Sequence, residues 1–183
     1  KTIAGVGISC TNALIPVDES GKPLTNAIMQ IDNRTYNEVE WIKERIGEDK
    51  IFSVTGNRIA AGTFSAPIIL WLKRNMPDIY YRTKKFLVPT GFIVYKLTNI
   101  FSIDYTRAST TLLFDIRKRE WCEDLCREMD ISTDKLPEAY HSDAVAGYVT
   151  KSAADMTGLA VGTPVAAGMM DTVAAAVGMG AIK

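Results

Sequence analysis

One histidine, His141, serves a chain of 183 residues. That scarcity excludes multi-histidine metal sites, and it leaves any histidine-based triad to a residue in the polar loop Ala139-Tyr140-His141-Ser142-Asp143, which reads as surface. Cysteine is also scarce. Cys10, Cys122 and Cys126 are odd in number and follow no framework spacing, so reduced thiols and a cytoplasmic setting are expected. No excess of charge exists, because 21 Lys and Arg face 21 Asp and Glu. A neutral chain lacks the basic face of a sequence-independent nucleic-acid binder and the polybasic stretch of a membrane anchor. No apolar run reaches the roughly 20 residues that a membrane-spanning helix needs. A Walker A string is missing, and Gly178-x-Gly180 is too short for a nucleotide fingerprint. The chain begins without Met and shows no signal peptide, and both ends read as cuts through a longer protein.

What is present reads as an α/β chain. Ile3–Ser9 predicts a buried strand, Ala13–Val17 a second one and Ala27–Ile31 a third, joined as an antiparallel meander across the turn cluster Asp18–Pro23. Pro16 demotes the second strand to an edge or a bulge. A helix is expected over Tyr36–Ile46, capped by Thr35 or Asn33 and ended by Gly47. The clearest amphipathic helix is Ser65–Asn75, with Ser65 as N-cap and Pro67 in its first turn. Further helices are expected over Asp78–Thr83, Gly91–Leu97, Trp121–Met129 and Lys151–Thr157. Strands are expected at Phe86–Val88, Val145–Thr150 and Thr163–Ala167, before a small-residue helix at Thr172–Val177. Cys122 and Cys126 fall on a core-facing helical stripe, where packing outweighs metal binding.

Asp171 stands out. It lies between a strand and a helix, where α/β sheets bind ligands beyond the carboxyl ends of strands. A carboxylate there can accept a proton from a substrate hydroxyl. Helix capping is the commoner use of an aspartate at such a junction, and both uses can coexist. Asp32 and Arg34, in Asp32-Asn33-Arg34-Thr35, can bind a polyol or pair with each other to fix a loop. Cys10, Thr11 and Asn12 end the first strand with small polar groups suited to sugar hydroxyls or to a turn. Thr63, before Ser65, reads as a helix start or a binding loop.

Taken in order, these strings resemble the FGGY carbohydrate kinases, the group of xylulokinase, gluconokinase and glycerol kinase. The resemblance runs through AGVGIS at Ala4–Ser9, LIPVD at Leu14–Asp18, Asp32-x-Arg34, Leu70-Trp71-Leu72-Lys73, Asp104-Tyr105-x-x-Ala108-Ser109, LLFD at Leu112–Asp115, Gly162-Thr163-Pro164-Val165 and Gly168-x-x-Asp171. It implies an actin-like, ribonuclease H-like fold, a mixed sheet with packed helices. Residues 1–183 would be part of the N-terminal sugar-binding domain of a two-domain kinase, without its ATP-binding C-terminal domain. The parent would be an ATP-dependent kinase using Mg²⁺ to phosphorylate a sugar or polyol hydroxyl, with a xylulose-like ketose preferred. This stretch alone would be inactive and would hold neither cofactor nor metal. Asp171 would be the catalytic base, and Cys10, Thr11, Asn12, Asp32, Arg34 and Thr63 would face or shape the sugar site. No nucleic-acid or membrane partner is implied, and a homodimer stays open.

The pattern also departs from the family. The loop after Ser9 is one residue short and carries Cys10-Thr11-Asn12-Ala13 in place of the common Gln with His or Arg-Glu. Gln30 replaces a frequent Trp, Ile68 a frequent Lys, and Met169-Met170 the small residues before Asp171. These changes argue against glycerol. They also keep a second reading alive, a non-catalytic sugar-sensing domain on the same fold. A third is an unrelated α/β domain in which Asp171 only caps a helix.

Overall fold

The structure, a computed structural model, describes residues 3–181. In chain order the strands β1 (Ser9–Cys10), β2 (Ala13–Val17) and β3 (Ile28–Met29) come first. Helices α1 (Tyr36–Arg45), α2 (Glu48–Thr55), α3 (Ser65–Asn75) and α4 (Pro77–Arg82) follow. Next are β4 (Lys85–Leu87), α5 (Pro89–Thr98), β5 (Ser102–Asp104) and the single turn α6 (Tyr105–Ala108). A hairpin of β6 (Phe114–Asp115) and β7 (Glu120–Trp121) leads to α7 (Glu123–Glu128) and β8 (Glu138–Tyr140). The last elements are β9 (Val145–Tyr148), α8 (Lys151–Thr157), β10 (Pro164–Ala166), β11 (Met169–Met170) and α9 (Asp171–Gly178).

The expected meander is corrected. β2 pairs antiparallel with β3 on one side and with β4 on the other, while β1 leaves that sheet and runs parallel to β11. β2 is therefore central, and all five of its residues are buried. Pro16 interrupts pairing only locally. β3 pairs with Ala13 and Leu14 and stops there, and the Pro16 carbonyl accepts the Leu24 N–H at 2.9 Å. Pro16 thus turns its donor-less nitrogen to a side where no strand remains. The buried strand expected over Ile3–Ser9 is corrected as well. Only alternate residues, Val6 and Ile8, are partly covered, and Ile3 is 56% exposed, because among the described residues one side of this run packs against the protein.

The main core joins Leu14, Ile28, Val39, Ile42, Ile51, Ile69, Leu72, Leu113, Leu125 and Met129, so β2, β3, α1, α2, α3 and α7 meet in one cluster. Helix α2 has no counterpart in the sequence reading. Gly47, at φ 92°, ends α1 and restarts the chain into α2, whose first turn carries Glu48 and Asp49. Phe64, not Ser65, holds the N-cap position of α3, in extended geometry, and Ser65 makes no capping bond. Thr35 does precede α1 but makes no cap bond either. The helix expected from Trp121 starts at Glu123, because Trp121 is drawn into the β6–β7 ladder opposite Phe114. A second cluster places Val94 and Leu97 of α5 beneath Val165, Ala146 and Ala167. Among the described residues no helix is long and apolar enough to cross a membrane.

Candidate functional site

Two neighbouring parallel strands end on the same edge of their ladder. Ser9 pairs with Met169 and Cys10 with Met170, so Thr11 and Asp171 step off the carboxyl ends of β1 and β11 side by side. Close approach is needed just before β11. Gly168 sits at φ +93°, and a Cβ there would lie 2.4 Å from the Ile8 carbonyl oxygen. Only glycine fits without moving one strand.

The capping reading of Asp171 is corrected. Met170 holds the N-cap position of α9, and Asp171 is the first helical residue. Its Oδ1 accepts only from the adjacent Thr172 N–H within the helix, at 3.0 Å, and the side chain is 50% exposed. The carboxylate sits at the N-terminal end of α9.

Arg107 faces this carboxylate, and sequence reasoning missed it. It is 2% exposed, and its Nη2 donates both to the Cys10 carbonyl and to Asp171 Oδ1, the latter at 3.3 Å. Asp104 sets the turn that delivers it. The Asp104 Oδ1 accepts the N–H groups of Thr106 at 2.9 Å and Arg107 at 3.1 Å, capping α6, and also accepts the Thr106 hydroxyl. Thr106 Oγ1 in turn accepts the Met170 N–H at 2.8 Å. Burial pushes the Asp104 carboxyl up from its ordinary value, against the downward pull of these hydrogen bonds and of Arg107. The available signal was an arginine inside a run of small, closely packing residues. An arginine so placed has to be paired if it is buried.

The loops beside β1 form one connected surface. Asn12 is buried, and its Nδ2 donates to the Thr63 carbonyl at 2.7 Å. Its own carbonyl accepts the Gln30 N–H at 3.3 Å, and its Oδ1 has no protein partner. Gly62 lies against the 30–32 backbone, where a Cβ would come within 2.5 Å of the Gln30 oxygen and 2.9 Å of the Asp32 oxygen. Gly62 N–H donates to Thr35 Oγ1 at 3.4 Å. Asp32 and Arg34 are paired, with Arg34 Nη2 2.6 Å from Asp32 Oδ2 and Nε 2.9 Å from both carboxylate oxygens. That pairing holds the Asp32 carboxyl below its ordinary value, and the Arg34 guanidinium lies 4.7 Å over the Trp71 ring.

The seven sequence candidates thus fall into a continuous chain of contacts. Asp171 meets Cys10 through Arg107, Thr11 and Asn12 follow along the backbone, Asn12 reaches Thr63, and the 62–63 loop rests on Asp32. Arg34 is committed to Asp32 and Trp71. His141 stays apart, with Nδ1 3.2 Å from the exposed Asp143 carboxylate. The donor set around Asp171 is one carboxylate, one paired guanidinium, a hydroxyl and carbonyls. Among the described residues no group of three or more His, Cys, Asp or Glu side chains is placed to hold a metal ion.

Residues 1–178 match the FGGY family of carbohydrate kinases, N-terminal domain. The xylulose kinase of Bacillus subtilis is 32% identical over 184 residues, and that of Lactococcus lactis is 34% identical over the same length. Each alignment covers 100% of this chain and 36% of the relative. The crystal structure of xylulose kinase from Rhodospirillum rubrum superposes with a TM-score of 0.95 at 24% identity, covering 100% of this chain and 38% of that one. The chain therefore spans little more than a third of the proteins it resembles. The expected actin-like, ribonuclease H-like fold is the fold found.

Proposed function

Because the chain belongs to the FGGY family of carbohydrate kinases, we propose that it is the sugar-holding part of an ATP-dependent kinase acting on a sugar or polyol hydroxyl. ATP would supply the phosphoryl group and Mg²⁺ its charge neutralisation, both bound outside the residues described here. The observation that carries the proposal is the Asp171 carboxylate, half-exposed at the shared carboxyl edge of β1 and β11 and beside the polar loop Cys10–Asn12. As the substrate oxygen bonds to phosphorus and the bond to the leaving ADP breaks, the hydroxyl proton passes to Asp171. Phosphoryl transfer depends mostly on positioning and electrostatics, so a fixed carboxylate that orients the hydroxyl suffices. Thr11 and the exposed Thr63 offer hydroxyls for sugar recognition, on loops that Asn12 ties together.

The charge pattern favours an uncharged sugar over an aldonate. Both guanidinium groups of the candidate set are already neutralised, Arg34 by Asp32 and Arg107 by Asp171. The curated relatives named xylulose kinase support a xylulose-like ketose. Cys10, Cys122 and Cys126 form no disulfide among the described residues, which fits a reducing cytoplasm.

In the complete protein, Asp171→Ala should lower phosphorylation of D-xylulose by about 10²-fold or more while part of the sugar affinity survives. Turnover near that of the wild type would remove Asp171 from the role of base. Retained sugar binding, with no ADP formed from a panel of ketoses and aldonates, would favour the sugar-sensing reading.

A further inference from the structure

We infer that Arg107 is a positioning residue, which fixes the Asp171 carboxylate relative to the end of the sugar-facing strand through a single guanidinium nitrogen. The inference rests on the reading of Asp171 as the base. Nη2 carries two hydrogens, and they go to two different elements: the Cys10 carbonyl at the end of β1 and Asp171 Oδ1 at the start of α9. One atom thereby sets the spacing between the loop that would hold the sugar and the group that would take its proton.

The arginine is itself held from behind. Asp104 receives its N–H, and Thr106, the preceding residue, receives the N–H of Met170, next to Asp171. Helix α6 therefore grips the β11–α9 junction at two consecutive residues, one through backbone and one through side chain. Without Arg107, the carboxylate would keep only its bond to the adjacent Thr172 N–H, which does not fix a rotamer.

A stability role alone accounts poorly for this arrangement. Taking a guanidinium out of water is costly, and a buried ion pair often gains nothing over apolar packing of the same volume. Here the cost is higher still, because Arg107 Nε and Asp104 Oδ2 are buried without a protein partner. Half of the pair, Asp171, stays 50% exposed at the site. An interaction that keeps one partner accessible suits orientation better than core cohesion, and misplacement by about 1 Å can cost 10²-fold in rate.

Two measurements test the inference. In the complete protein, Arg107→Met should lower kcat for D-xylulose about tenfold or more, leave KM for ATP unchanged, and be partly rescued by Arg107→Lys, which keeps charge and donors. On this chain, three-bond couplings to the Asp171 side-chain carbon should show one χ1 rotamer in the wild type and averaging in Arg107→Met. A kcat within twofold of the wild type, or an Asp171 rotamer that stays fixed in the variant, would overturn the inference. If the wild type phosphorylates no sugar, the kinase reading fails and the couplings alone decide on Arg107. Should Arg107→Met not fold, Arg107→Gln takes its place with the same expectations, since its amide is too short to reach both acceptors.

Discussion

Asp104 is fully buried, and it works through its neighbours rather than through any exposed atom of its own. Its raised pKa has burial as the largest cause. The folded chain thus binds this proton more tightly than the unfolded chain does. The resulting stabilisation is complete below the ordinary value of 3.8 and is lost as the pH rises through the raised one. Asp104→Asn stays neutral and can still accept the Thr106 and Arg107 N–H groups. Urea midpoints from about pH 3.5 to about pH 7 should therefore show the wild type losing ground to Asp104→Asn as the pH rises. A constant gap would mean that Asp104 titrates alike in both states. At this scale the sequence was half readable. Asp171 and the loop Cys10–Asn12 were visible from their places after strands. Arg107 was not, because its partners lie 97 and 64 residues away in the chain and no local pattern marks a buried arginine.

Elements with strong internal signals were legible. The bounds of β2, α3 and α8 agree with hydrophobic periodicity and with the Pro and Gly that flank them. Elements defined by what they meet were not. Helix α2 buries only Ile51 and Thr55 and gives too weak a stripe to be seen past Gly47. The run Ile3–Ser9 reads as a buried strand by composition, yet β1 is only Ser9–Cys10 and its partner lies near the far end of the chain. The β1–β11 pair depends on Gly168. Gly168→Ala would force a methyl group against the Ile8 carbonyl at a positive φ. We expect destabilisation of about 1–3 kcal/mol, read as a lower midpoint in thermal or urea unfolding. A midpoint equal to the wild type would show that the two strands separate freely, and with them Cys10 and Asp171.

On the scale of the molecule, packing is uneven. The main cluster ties together eight helices and strands, whereas α9 buries none of its residues although six of its eight are Ala, Val or Gly. Opening free energies should follow that gradient. Hydrogen exchange followed by mass spectrometry should find α9 amides exchanging well before those of α3. Equal protection would show that α9 has partners the fold does not reveal. The family and fold class were legible because eight short strings keep their order. The sugar was not, since the small polar side chains of Cys10–Asn12 suit any polyol and mark none in particular. The chain by itself should show no ATP-dependent phosphorylation in a coupled ADP assay, and robust turnover would refute the division of labour proposed above.

The bridge from Cys10 through Arg107 to Asp171 closes one loop of 97 residues and another of 64. Loop-closure entropy opposes both closures, and contacts so distant in sequence form late in folding. A polypeptide emerging from the ribosome can build β2, α1, α2 and α3 while Asp171 has yet to be synthesised. The constellation proposed for proton transfer is therefore assembled after the scaffold that carries it, and a nascent chain halted before residue 171 would hold the loop Cys10–Asn12 with no carboxylate opposite.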